Sequence, residues 1–210
     1  SQSSGTYTAI SGGTVLGTTT TDDQRFVDPA VPAGGTVNTG VGLPIGFSFV
    51  YNGYTYDRFA VNANGWISLG DSALGTSAVN INTTSAYTSL SSVVTTVSND
   101  LVARIAGLNR DLQSQTGGEL RYETIGTAPN RKFVVLYESV NAFQCPATCY
   151  YGALIFCEGT NVIDMMIGQK PNCSTWNGGL AIQGLHIFRF AKPCWPLRPR
   201  QSALRLILGK

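Results

Sequence analysis

The sequence predicts an all-β domain, an antiparallel β-sandwich of jelly-roll-like character with long loops. Three observations carry this reading. Runs rich in aromatic and β-branched residues alternate with small or polar ones at a period of two, the signature of half-buried strands. Two Asn-Gly dipeptides fall between such runs, where tight hairpins need them. Only 12% of the residues are charged while 43% are hydrophobic, so a 210-residue chain has enough apolar material for one large core.

The stretch 45–70, IGFSFVYNGYTYDRFAVNANGWISLG, dictates its own structure most clearly. Phe47, Phe49 and Tyr51 alternate up to Asn52-Gly53, and Tyr54 and Tyr56 resume the pattern. A type I′ turn needs positive φ at both central residues, which Gly adopts freely and Asn tolerates. Asn64-Gly65 is expected to repeat the device, with Phe59, Val61, Trp66, Ile67 and Leu69 as the buried flanks.

Before this stretch, residues 6–10 alternate as a short first strand, and residues 22–46 carry Asp-Pro, Val-Pro, Gly-Gly and Leu-Pro punctuation that predicts a meandering loop. After it, residues 71–99 are Ser/Thr/Asn-rich and read as a long surface excursion with one short strand or helical turn. Residues 101–107 are expected to cross the core. Residues 119–125 and 132–140 predict a hairpin turned by GTAPN. Residues 150–156 and 162–167 form a second antiparallel pair around CEGTN, and residues 178–185 a further strand.

From residue 187 onward the composition changes. The stretch 187–210 holds six Arg or Lys residues, Arg189, Lys192, Arg198, Arg200, Arg205 and Lys210, and no acid. A division into a module at 1–186 and an atypical basic tail at 187–210 follows. An interaction tail, an exposed extension and a shift of reading frame near His186 all account for the change.

A net charge of +2 is too small to imply a nucleic-acid partner. No apolar run approaches the roughly 18 residues of a membrane-spanning helix, so membrane insertion is not expected. The polar start SQSSGTYT reads as a mature N-terminus left after removal of a signal peptide, although an intracellular protein without one would begin equally abruptly. Cys145, Cys149, Cys157, Cys173 and Cys194 all lie in the last third of the chain, without the paired CxxC spacing of a zinc site. They read as two disulfides and one leftover. Cys145 with Cys149 is the preferred pair, and Cys194 is the candidate for an intermolecular bond.

His186 is the single histidine, so triad, dyad and histidine-metal chemistry would all depend on one residue, and no catalytic residue is assigned. Asp22, Asp23 and Asp28 carry the oxygen chemistry of calcium but also that of turn caps. Neither a metal nor a cofactor is assigned. Tyr54 and Tyr56, two apart on one strand, are the candidates for stacking on a sugar ring. Asn82 and Asn172 stand in N-glycosylation sequons.

Several blocks resemble, in order, the N-terminal β-sandwich module of secreted, type IX-secreted-like surface proteins of Bacteroidota. They are the first 36 residues, LPIGFSFVYNGYTYDRFAVNANGWISLG, GLNRDLQSQTGGELRYETIGTAPNRKFVVLYESV and EGTNVIDMMIG. The likeness covers residues 1–186 and departs after Gly184-Leu185. It implies an extracellular or cell-surface location and a non-catalytic adhesive or binding role toward surface glycans or other surface proteins. It also makes Asp71-Ser72-Ala73 an O-glycosylation pattern, with Ser72 as the glycan site. The alternative role is a filament subunit that self-associates by β-strand addition, through the chain ends. A polysaccharide-active enzyme is the third reading.

Overall fold

In the computed structural model, residues 2–4, 10–18, 23–28, 30–31, 37–81, 104–113, 118–170, 173–185 and 204–208 are described. Their strands are β1 (Gln2–Ser4), β2 (Thr14–Thr18), β3 (Arg25–Phe26), β4 (Ala30–Val31), β5 (Thr39–Gly40), β6 (Leu43–Tyr51), β7 (Tyr54–Asn62) and β8 (Trp66–Gly70). There follow β9 (Val79–Asn80), β10 (Arg104–Asn109), β11 (Glu119–Ile125), β12 (Lys132–Ala142), β13 (Cys145–Cys157), β14 (Ile163–Gln169), β15 (Ile182–Leu185) and β16 (Leu204–Leu208). One seven-stranded sheet runs β1-β16-β14-β13-β12-β11-β2, and the other runs β15-β10-β8-β7-β3-β4 with β6 also on β7. The two pack as a β-sandwich.

The expected alternation builds the space between the sheets. On β6, Ile45, Phe47, Phe49 and Tyr51 are buried while Pro44, Gly46 and Ser48 are exposed. From the opposite sheet Leu120, Phe133, Val135, Tyr137, Leu154, Phe156 and Met165 join them. The rings interlock across the interface. Phe59 lies 4.5 Å from Phe133, and Phe156 meets Phe49 edge-on at 5.1 Å, geometries that add to the gain from buried area alone.

Polar side chains tie the sheets where backbone groups of β6 lack a strand partner. Thr124 Oγ1 donates to the Ile45 carbonyl (2.6 Å), Arg131 Nη1 to the Gly46 carbonyl (2.7 Å), and Asn161 Oδ1 accepts from the Val50 amide (2.9 Å). Glu158 holds the Arg131 guanidinium at 2.6 and 2.8 Å. An edge strand with satisfied carbonyls is a poor template for another chain.

All of β8 is buried, on both faces. Its outward residue Trp66 enters a second apolar cluster with Val27, Ala60, Val79, Ile81 and Ala106. The Arg104 guanidinium lies over the Trp66 ring at 4.0 Å, and burial lowers its pKa to about 10. The outer face of the other sheet is apolar as well, with Val134, Leu136, Ala153, Ile155 and Met166 packed with Ile10.

The hairpins at β6–β7, β11–β12 and β13–β14 stand where alternation and turn residues place them. Asn52 (φ 50°) and Gly53 (φ 81°) form the first turn as expected. The second differs from the expectation. Asn62 pairs with Trp66 across a three-residue loop, Ala63-Asn64-Gly65, and only Gly65 (φ 83°) is left-handed. A type I turn followed by a left-handed glycine uses the same dipeptide in another way.

The 22–46 stretch, expected as a loop, holds β3, β4 and β5 as two-residue strands and the start of β6, where Leu43 and Pro44 pair with Phe59 and Arg58 of β7. Residues 6–9 of the expected first strand and residues 82–99 of the long excursion lie outside the described residues. Leu204–Leu208, within the basic 187–210 stretch, forms β16 between β14 and β1, and both of its ladders are parallel. The antiparallel pattern therefore holds everywhere else among the named ladders.

Candidate functional site

Sequence-selected residues meet at one place, where β8 leaves its sheet. The chain closes an eight-residue loop there. Asp71 N donates to the Ala78 carbonyl (3.0 Å), Leu74 N to the Asp71 carbonyl (3.1 Å) and Ala78 N to the Gly75 carbonyl (3.1 Å). Asp71 is extended (φ −124°, ψ 119°) and its carboxylate accepts from Ala73 N at 2.9 Å, capping the segment Ser72–Ser77, two 3₁₀ turns joined across a kink at Gly75. An Asp at a cap satisfies an amide that the turn leaves orphaned. Gly70 is required just before it, because a Cβ would run into the Ala78 carbonyl oxygen.

Asp57 of β7 fastens the turn to the sheet. Its carboxylate accepts from Ser72 N (2.8 Å) and from Ser72 Oγ (2.5 Å). Burial pushes this carboxyl up, but the two hydrogen bonds from Ser72 and the charge of Arg58 outweigh it and hold it below its ordinary pKa. Asp57 is thus anionic at neutral pH.

Between this turn, β7 and the small β5–β9 sheet lies a cavity of about 330 Å³, lined in part by Thr39, Tyr56, Asp71, Leu74, Ser77 and Asn80. Its size is at the low end of ligand pockets, roughly 300–1,000 Å³. Tyr56 is half-buried. Its phenol is pushed up to about 12 by burial, then by the neighbouring Tyr54 and the negative charge of Asp71. Leu74 is 63% exposed beside the opening, and Asn80 Oδ1 is buried with no hydrogen-bond partner. Such a site can hold a small ligand through an apolar wall and several hydroxyl, amide and carboxylate groups.

The structure places the expected residues unevenly. Tyr54 is 43% exposed beside the first hairpin turn, and Tyr56 turns into the cavity. Ser72 is exposed, but a glycan on its oxygen would remove the proton now donated to Asp57. Asn82, Asn172, Cys194 and His186 lie outside the described residues. Asp23 spends a carboxylate oxygen on Asn64 Nδ2 (2.7 Å), and among the described residues no cluster suits a metal ion.

The cysteine pairing is corrected. Cys145 bonds Cys173, not Cys149. The β12–β13 register gives the reason. Cys145 sits opposite Ala142 and Cys149 opposite Asn141, and successive strand residues point to opposite faces, so the two side chains diverge. The Cys149 thiol is free and accepts from Asn141 Nδ2 at 3.8 Å. Cys157 ends β13 opposite Lys132. The disulfide anchors a cap over one end of the sandwich. There Arg110 Nη2 donates to the Cys173 carbonyl (2.9 Å), Trp176 Nε1 to Asp111 (2.8 Å), and the Trp176 and Phe143 rings lie 4.9 Å apart.

Sequence reading missed the cavity, because its walls come from β5, β7, β8, the turn and β9. The one local signal was Asp71 after a glycine-ended strand, a capping pattern.

A disulfide-bearing β-sandwich is a construction suited to oxidising, extracellular surroundings. The chain belongs to the NIDO-related family, whose model matches residues 1–188 and which is of extracellular type. Neither a curated protein nor a solved structure matches it.

Proposed function

We propose that this domain is a non-catalytic binding module of the extracellular or cell-surface space, of the kind exported by Bacteroidota. It engages surface glycans or other surface proteins through the side that carries the Ser72–Ser77 turn. The observation behind this reading is the cavity beside Tyr56, which opens next to the exposed Leu74 on a turn fastened to the sheet by Asp57. A preformed concave site on a rigid scaffold suits binding, since little ordering entropy is lost.

The strand-addition alternative has a specific observation against it, since β16 already occupies the edge of β14. The test is binding of the purified chain to cell-surface extracts and a broad glycan panel. Retention expected of the native chain should be lost in a variant carrying Leu74→Asp and Tyr56→Ala. Absence of retention across both collections would remove the reading.

A further inference from the structure

The lining of the cavity carries a statement about its ligand. Asp71 is the single charged residue of the wall, and one of its oxygens is committed to the Ala73 amide. The other oxygen is left for a ligand. That remaining charge disfavours carboxylated, sulfated or phosphorylated ligands. Around Asp71 the wall is polar but neutral. Thr39 and Ser77 bring hydroxyls, Tyr56 a phenol that stays protonated at neutral pH, and Asn80 a side-chain amide. Most of the rest is apolar, from the Tyr56 ring, Leu69, Leu74 and Ala78.

A cationic ligand would use Asp71 and leave the neutral groups idle. A ligand with an apolar face and a rim of hydroxyls would use both kinds of surface, since hydroxyls both donate and accept. We propose that the cavity is a subsite for one uncharged pyranose ring, with Tyr56 and Leu74 against its apolar face and Asp71, Thr39, Ser77 and Asn80 on its hydroxyls. This rests on the binding-module reading and narrows it to a neutral sugar at one place.

The experiment uses the full chain in ligand-observed NMR with three probes: a set of neutral methyl hexosides, methyl glucuronide, and Nα-acetyl-lysine methyl ester. At least one neutral hexoside should bind, and the other two probes should not compete with it. Tyr56→Ala and Leu74→Ser should each weaken binding about tenfold or more. Asp71→Asn, which keeps an oxygen for the Ala73 amide, should weaken it without unfolding the turn. Preferential binding of the glucuronide or of the lysine ester overturns the ligand class. Hexoside binding unchanged in Tyr56→Ala and Leu74→Ser overturns the location. Silence toward every probe overturns the proposal, and retention on a surface extract then decides whether the binding-module reading survives it.

Discussion

Two turns carrying the same Asn-Gly dipeptide flank β7, one at each end, and they do different work. At Asn52-Gly53 both residues are left-handed, both are exposed, and a Cβ added to Gly53 would meet nothing within 4 Å. At Asn64-Gly65 both are buried and joined to the next layer of chain. Asn64 Oδ1 accepts from Leu112 N (2.8 Å), its carbonyl from Arg110 N (3.1 Å), and the Gly65 carbonyl from Gly107 N and Leu108 N (3.2 Å each). The first turn reverses a hairpin. The second aligns β10 and fixes where Arg110 and Asp111 stand under the disulfide-anchored cap. A dipeptide signals a turn, and its surroundings decide how much of the fold hangs on it.

The contrast can be broken by substitution. Gly65→Ala should have the largest effect, about 4 kcal/mol or more, because a left-handed alanine is strained and its Cβ runs into the Leu108 carbonyl. We expect the variant to be absent from the soluble fraction or to unfold at far lower denaturant. Asn64→Ala should cost about 3 kcal/mol by orphaning the Leu112 amide and the bond to Asp23, read as a shift of the urea midpoint at constant slope. Equal effects of alanine at Gly65 and Gly53 would show that the contacts of the second turn do not matter as described.

Tyr137 sharpens the comparison further, since its hydroxyl donates to the Asn62 carbonyl (2.9 Å) beside the second turn. Burial, then the neighbouring Tyr150, raises its pKa well above the ordinary value. The native state therefore keeps this proton where the unfolded chain loses it, and stability falls as pH rises above about 10. Tyr137→Phe should cost about 1–2 kcal/mol at neutral pH and flatten that alkaline loss, measured by denaturation at pH 8 and pH 10.5. Gly53→Ala should cost only about 1 kcal/mol. Asn52→Gly should stay within a few tenths of a kcal/mol in the same assay.

Fold class and most hairpins were legible because alternation and turn residues act within a few positions. The β11 strand, Glu119–Ile125, coincides with its alternating run, and β6–β7 needed only Phe47, Phe49, Tyr51 and Asn52-Gly53. What escaped depends on residues brought together by the sandwich. The Cys145–Cys173 bond follows from the loop that Trp176 and Arg110 hold in place, whereas chain proximity favoured Cys149. The three-residue geometry at Asn64 follows from the amide of Leu112. Of the candidate site, Tyr56 and Ser72 could be named from the sequence. Thr39, Leu74 and Asn80 could not, since a cavity has no period.

The parallel ladder between Gln2–Ser4 and Leu204–Leu208 joins positions about 200 residues apart. Closing so long a loop sets a high entropic threshold, so this seam should form after the aromatic interior has assembled. Its amides should also be among the first of the strand amides to exchange with deuterium, through openings that leave the rest of the sandwich intact. The sheet would then have a slow-closing margin at β1 and β16 and a quickly formed centre at β12 and β13.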